Sequence, residues 1–249
     1  MMTGEKQKPL YRDGIKYIAA FTMLLNHISV IFLDKESFLG SLLTDIGYFT
    51  GITMIWMLVE GYTYTHSRKS YAQRLLFFAV LSELPFCLAF TKGKIISFYG
   101  WNMLFTLLVC FGIVHLMNQW QDSGKRNAIL ALLVLSTWNS DWGILAPIDT
   151  ILFVQAGEDH EKQKMAWGKA VGLFGILNFL SVSDTYPIWK ALLYTVGTVI
   201  APLCAGICIL YFYNGRTLKK GRIFSKWFFY IFYPGHLLIL GLIRLLAGR

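Results

Sequence analysis

The chain has 249 residues, a formal net charge of +9, and 55% hydrophobic against 15% charged residues, with a mean hydropathy of +0.51. That balance excludes an ordinary soluble domain and leaves an all-α polytopic membrane protein, because backbone in lipid must satisfy its own hydrogen bonds as helix. The basic excess is then a topology signal, and no nucleic-acid partner is expected.

In chain order, apolar runs extend over Ile15 to Leu33, Ile46 to Thr65, Tyr71 to Phe90, Trp101 to Met117, Ala128 to Trp138, Gly143 to Ala156, Trp167 to Val182, Ile188 to Tyr213 and Trp227 to Leu246. They predict about nine transmembrane helices, within a range of roughly eight to ten, in a single integral-membrane domain over residues 1–249. The fifth and sixth runs are short for a hydrocarbon slab of ~30 Å and read as tilted, re-entrant or parts of one broken unit. A cytoplasmic N-terminus puts most basic residues inside, among them Lys6, Arg12, Arg68, Lys69, Arg74, Lys219 and Lys220, and the expected location is the cytoplasmic (inner) membrane. The segment before Asp13 reads as a short basic tail rather than a cleavable signal peptide. Gly168, Gly172 and Gly175 form a small-residue face expected to pack against a neighbouring helix. Cys87, Cys110, Cys204 and Cys208 all fall in apolar runs without metal-like spacing, so they read as core residues and no metal is expected.

His27, beside Asn26 in the first run, has no partner nearby in sequence, and a strongly polar group at the centre of a span costs ~2 kcal/mol or more. Helical rise places Glu83, Asp149 and His236 near the same depth, from the third, sixth and ninth runs. Four ionisable groups in one layer describe a site rather than scattered packing devices. Pro85, Pro147 and Pro234 lie close to them, and the carbonyls freed by proline are tolerated at depth where protein or water satisfies them, which predicts a hydrated pocket. Glu60 lies nearer the cytoplasmic end of the second run and reads either as an ion-pair partner of Arg74 or as a ligand-binding group. Asn102 and Thr106, one turn apart, either face the pocket or bond across helices.

These segments resemble the TraX family, integral membrane proteins typified by the enzyme that N-acetylates conjugative pilin. The resemblance is carried by Asn26-His27-Ile28 after Met23, Glu60-Gly61-Tyr62, Arg68, Lys69 and Tyr71 to Leu75, Ser82 to Phe86, Asn102 to Leu107, Asp141-Trp142-Gly143, and the closing run Trp227 to Leu238. It covers nearly all of the chain. Two departures stand out: the family usually has Asp where Asn26 stands, and an acidic residue where Cys87 stands.

The resemblance implies an acyl-CoA-dependent, and specifically acetyl-CoA-dependent, transmembrane acyltransferase, with no metal or haem required. The acceptor would be an amine or hydroxyl on a peptide N-terminus, glycan, lipid or small molecule, at or across the bilayer. On that reading His27 is the general base, or is itself acetylated, with Glu83 orienting its ring and Asn102 polarising the thioester carbonyl. Arg74, Arg68, Lys69 and Glu60 would bind the CoA portion, and Asn26, Thr106, Asp149 and His236 the acceptor. Two alternatives use the same groups: a proton-coupled transporter or channel built on the midplane His, Glu and Asp residues, and a bis-histidine haem protein using His27 and His236.

Overall fold

The computed structural model describes residues 8–217 and 222–248, which hold nine α-helices and no β-sheet. Lys6, Lys219, Lys220 and Arg249, with the side chains of Arg222 and Lys226, lie outside what is described. The helices are α1 Arg12–Phe32, α2 Phe38–Tyr64, α3 Arg68–Phe90, α4 Met103–Gln119, α5 Gly124–Ser136, α6 Leu145–Ala156, α7 His160–Ser183, α8 Ile188–Ile207 and α9 Arg222–Leu246. Local chemistry sets many of the boundaries. Ser37, Ser67, Asn102, Ser123 and Asp159 each accept a backbone N–H of the first turn that follows, which removes donors left orphaned at a helix start.

Every apolar run becomes a helix, yet six helices are both long and apolar enough to cross a membrane: α1, α2, α3, α7, α9, and α8 with the π-helical turn Cys208–Phe212 that continues it. Of the roughly nine spans expected, these six meet the length and composition of a membrane span among the described residues. At 1.5 Å per residue, α5 and α6 reach about 20 Å and α4 about 26 Å, short of a ~30 Å slab. The α5–α6 pair instead packs beside α4, over a small cluster of Ile113, Leu116 and Leu130. Phe21, Phe77, Leu84 and Leu193 remain exposed on the long helices, the pattern of a lipid-facing surface on a membrane protein.

The closest pairing is α1 on α2. Hydroxyls join these helices: Thr22 Oγ1 meets Thr50 Oγ1 at 2.8 Å, and Ser29 donates to the Gly40 carbonyl at 2.6 Å. Asn26 Nδ2 donates to the Thr44 carbonyl at 2.8 Å, and a Cβ at Gly47 would overlap the Asn26 side chain. Bonds of this kind contribute about 0.5–2 kcal/mol each in a bilayer, and the small residue is what lets them form. Gly168 and Gly172 meet nothing within 4 Å of a built Cβ, so of the expected glycine face only Gly175 makes a close approach, to Val199.

The π-turn after α8 has its own task. It brings Tyr213 beside Leu10, where Leu10 N–H donates to the Phe212 carbonyl at 3.0 Å and Asn214 N–H to the Leu10 carbonyl at 3.0 Å. The lead-in to α1 is thereby fixed to the end of α8. Helices α3 and α9 pack together on the other side, and Gly241 lets α9 approach Leu88 and Ala89.

Candidate functional site

Helices α1, α2, α3, α4 and α9, with the loop before α6, enclose a cavity of about 720 Å³. Its α1 wall is one helical stripe, Arg12, Lys16, Ala20, Met23, His27 and Val30, spaced by three or four residues. Eighteen residues of rise make that wall about 27 Å long. Gly47, Gly51, Met54, Leu58, Gly61 and Thr65 form the matching stripe on α2. The cavity therefore runs from a basic end, with Arg12, Lys16, His66 and Arg74, to an aromatic end with Tyr48, Tyr99 and Trp142.

Toward the aromatic end of that wall, about 22 Å of helical rise beyond Arg12, His27 Nδ1 lies 2.8 Å from His236 Nε2, and His236 Nδ1 lies 2.7 Å from the Phe232 carbonyl. A carbonyl can only accept, so His236 Nδ1 carries the proton and donates it, leaving Nε2 of the neutral ring as an acceptor. His27 Nδ1–H must then donate to that nitrogen. Consequently His27 Nε2 is the atom with the free lone pair, on a ring that lines the cavity. The Phe90 ring edge, with centroids 5.2 Å apart, holds the imidazole in place.

This geometry corrects the expected partner. Glu83 accepts from Asn102 N–H at 3.2 Å and from Asn102 Nδ2 at 2.7 Å, and receives the Cys87 thiol at 3.7 Å. It bolts α3 to the N-terminus of α4, where a carboxylate meets the positive end of the helix dipole. His236, expected at the acceptor, instead orients His27. Asn102 Nδ2 also donates to the Ala79 carbonyl at 2.8 Å, so both its amide protons are used and none remains to polarise a thioester. Thr106 donates to the Asp141 carbonyl at 2.7 Å and steadies that loop. Asp149 is buried on α6 away from the cavity lining, with Oδ1 unpartnered, near Cys110 and Thr150. Pro147 falls in the first turn of α6, where its missing N–H leaves no helical bond unmade.

At the basic end, Glu60 pairs with Arg12 Nη2 at 2.6 Å and accepts the Tyr213 hydroxyl at 2.7 Å, rather than meeting Arg74. Arg74 lines the cavity against the Tyr71 ring, and its Nε–H has no acceptor among the described residues. Arg68 lies over the Tyr62 ring at 4.5 Å, and Arg68 and Lys69 are both exposed away from the lining. Among the described residues no three His, Cys, Asp or Glu side chains converge as a metal site.

At the aromatic end, Trp142 has φ 60, a left-handed conformation that a bulky residue adopts only under constraint. Its indole stacks on Phe174, with centroids 5.7 Å apart, and presses so closely on α2 that a Cβ at Gly51 would fall inside it. Burial pushes the neighbouring Asp141 carboxyl up to about 6, against a hydrogen bond from the Trp142 N–H that lowers it. Arg12, Lys16, Asp141, Trp142 and Tyr233 all line the cavity although none was singled out in sequence as a site residue. For Arg12 and Lys16 a signal existed: they share the stripe of His27.

The fold and site define a helical multi-pass membrane protein with a long cavity lined by His27, which is hydrogen-bonded to His236. The family model described as TraX protein matches residues 11–244, and the chain belongs to the TraX family. It is 26% identical over 236 residues to a probable fimbrial assembly protein FimC, serogroup H1, of Dichelobacter nodosus, covering 91% of this chain and 92% of the relative. It is 27% identical over 245 residues to protein TraX of Escherichia coli, covering 95% of this chain and 88% of that protein. No solved structure matches it.

Proposed function

We propose that the protein is an integral-membrane acyltransferase that moves an acetyl or other acyl group from cytosolic acyl-CoA to an amine or hydroxyl presented at or across the membrane, as part of pilus or fimbrial assembly. The observation that carries this reading is the His27–His236–Phe232 chain, which leaves an unshared lone pair on an imidazole that lines a cavity large enough for a substrate. His27 Nε2 takes the proton of the acceptor as it attacks the acyl carbonyl, and His236 stabilises the resulting imidazolium by accepting its other N–H. The basic end suits a polyphosphate: Arg12, Lys16 and Arg74 line it, and the Arg74 Nε–H lacks a partner among the described residues. The name of one relative, a probable fimbrial assembly protein, supports a pilin-related acceptor.

A cavity that reaches both ends of α1 also favours one other reading, a proton-coupled transporter. The histidine nitrogens, 2.8 Å apart, are closer than the roughly 4 Å spanned by two ligand bonds to one metal, so the pair does not favour axial haem ligation. Purified full-length protein given acetyl-CoA and cell-envelope membranes should release CoA thiol, and His27→Ala should abolish the release. Proton flux into liposomes without any thiol release would support the transporter and contradict the transferase.

A further inference from the structure

Acyl transfer needs a hydrogen-bond donor at the oxygen of the carbonyl under attack, since negative charge develops there. Asn102, the residue that sequence put forward for this, has both amide protons committed to Glu83 and the Ala79 carbonyl. Tyr233 meets the requirement. Its side chain is 5% exposed and lines the cavity. The phenol oxygen accepts the Met103 N–H at 3.2 Å, in the first turn of α4, and its own O–H proton has no acceptor among the described residues. A phenol that accepts at a helix N-terminus is polarised toward donation, and a buried hydroxyl proton without an acceptor awaits one. The His236 ring touches the Tyr233 ring, with centroids 5.9 Å apart, and bonds His27, so both functional groups are held by one imidazole.

We infer that Tyr233 is a further catalytic residue, the hydrogen-bond donor to the oxyanion formed during acyl transfer; this rests on the transferase reading above. The acceptor lone pair forms a bond to the acyl carbon while the carbonyl π pair moves onto oxygen, where Tyr233 O–H donates to it. His27 Nε2 takes the acceptor proton. Collapse re-forms the carbonyl, breaks the carbon–sulfur bond and expels CoA as thiolate, which His27 can reprotonate. No oxidant or further reactant is needed.

Tyr233→Phe keeps the ring and its packing and removes only the hydroxyl. With acetyl-CoA and envelope membranes, it should lower kcat about 100-fold or more while KM for acetyl-CoA stays within about threefold. Infrared difference spectra of bound acetyl-CoA should show the thioester carbonyl stretch shifted down in wild type and unshifted in Tyr233→Phe, a readout that a packing role alone would not move. Transfer by Tyr233→Phe at the wild-type rate, or a thioester carbonyl stretch shifted down in the variant as far as in wild type, overturns the inference and leaves the transferase reading standing. A wild-type protein that neither binds acetyl-CoA nor releases thiol overturns both.

Discussion

At the scale of single residues, the function of His27 is set by what its other nitrogen touches. Two short bonds fix the tautomer, running from the Phe232 carbonyl through His236 to His27. His236→Ala should therefore lower transfer by roughly 100-fold or more, because His27 loses both its acceptor and its preferred tautomer. His236→Gln offers an amide oxygen in its place and should recover part of the rate, which thiol-release kinetics would show. Asp141 supplies a pH test of a different kind. Its folded carboxyl is raised to about 6 from an ordinary 3.8, so the folded state holds a proton that the unfolded state has released between those values. Stability should fall as pH rises through that window. Asp141→Asn should be more stable than wild type at pH 8, by on the order of 1 kcal/mol, and match it near pH 3, as measured by thermal unfolding in detergent. An advantage that persists unchanged at low pH would contradict the assignment. Sequence reading found His27 and His236 as polar groups at one depth and joined them only as alternative haem ligands; their direct hydrogen bond was not legible, because depth along a helix says nothing of which face each ring leaves by.

At the scale of elements, the periodicity that marks a helix also marked the cavity wall. Arg12, Lys16, Met23 and His27 lie on one stripe of α1 and were legible as such. The loop Asp141-Trp142-Gly143 was not, because a residue's φ is a product of tertiary contact rather than composition. Trp142 keeps its left-handed backbone only while its indole has space over Gly51. Gly51→Ala should destabilise the protein by roughly 1–3 kcal/mol, whereas Gly168→Ala, at a glycine with nothing near its Cβ, should be neutral or slightly stabilising. Equal thermal-unfolding shifts for the two would count against the close fit between α2 and Trp142. Glu83 shows the same limit from the other side. Its depth suggested His27, but the N-terminus of α4 lies nearer and offers both a backbone N–H and the Asn102 amide.

At the scale of the molecule, composition alone was enough for an all-helical membrane protein, and the apolar runs anticipated each helix. Among the described residues six helices are long and apolar enough to cross the bilayer, and α4 and α6 are shorter apolar helices. Helix α4, which Asn102 caps, lines the cavity with Met103, Leu104 and Leu107, and the loop between α5 and α6 adds Asp141 and Trp142. The resulting cavity has Arg12, Lys16 and Arg74 at one end, and His27 toward the other, where Tyr48, Tyr99 and Trp142 lie. This arrangement suits a donor entering from one face and an acceptor from the opposite one. The most direct measurement uses inside-out membrane vesicles containing the full-length protein and radiolabelled acetyl-CoA supplied to the outer solution, with label counted in membrane-associated material. Wild-type vesicles should incorporate label and His27→Ala vesicles with equal protein content should not; equal incorporation by both would contradict the account.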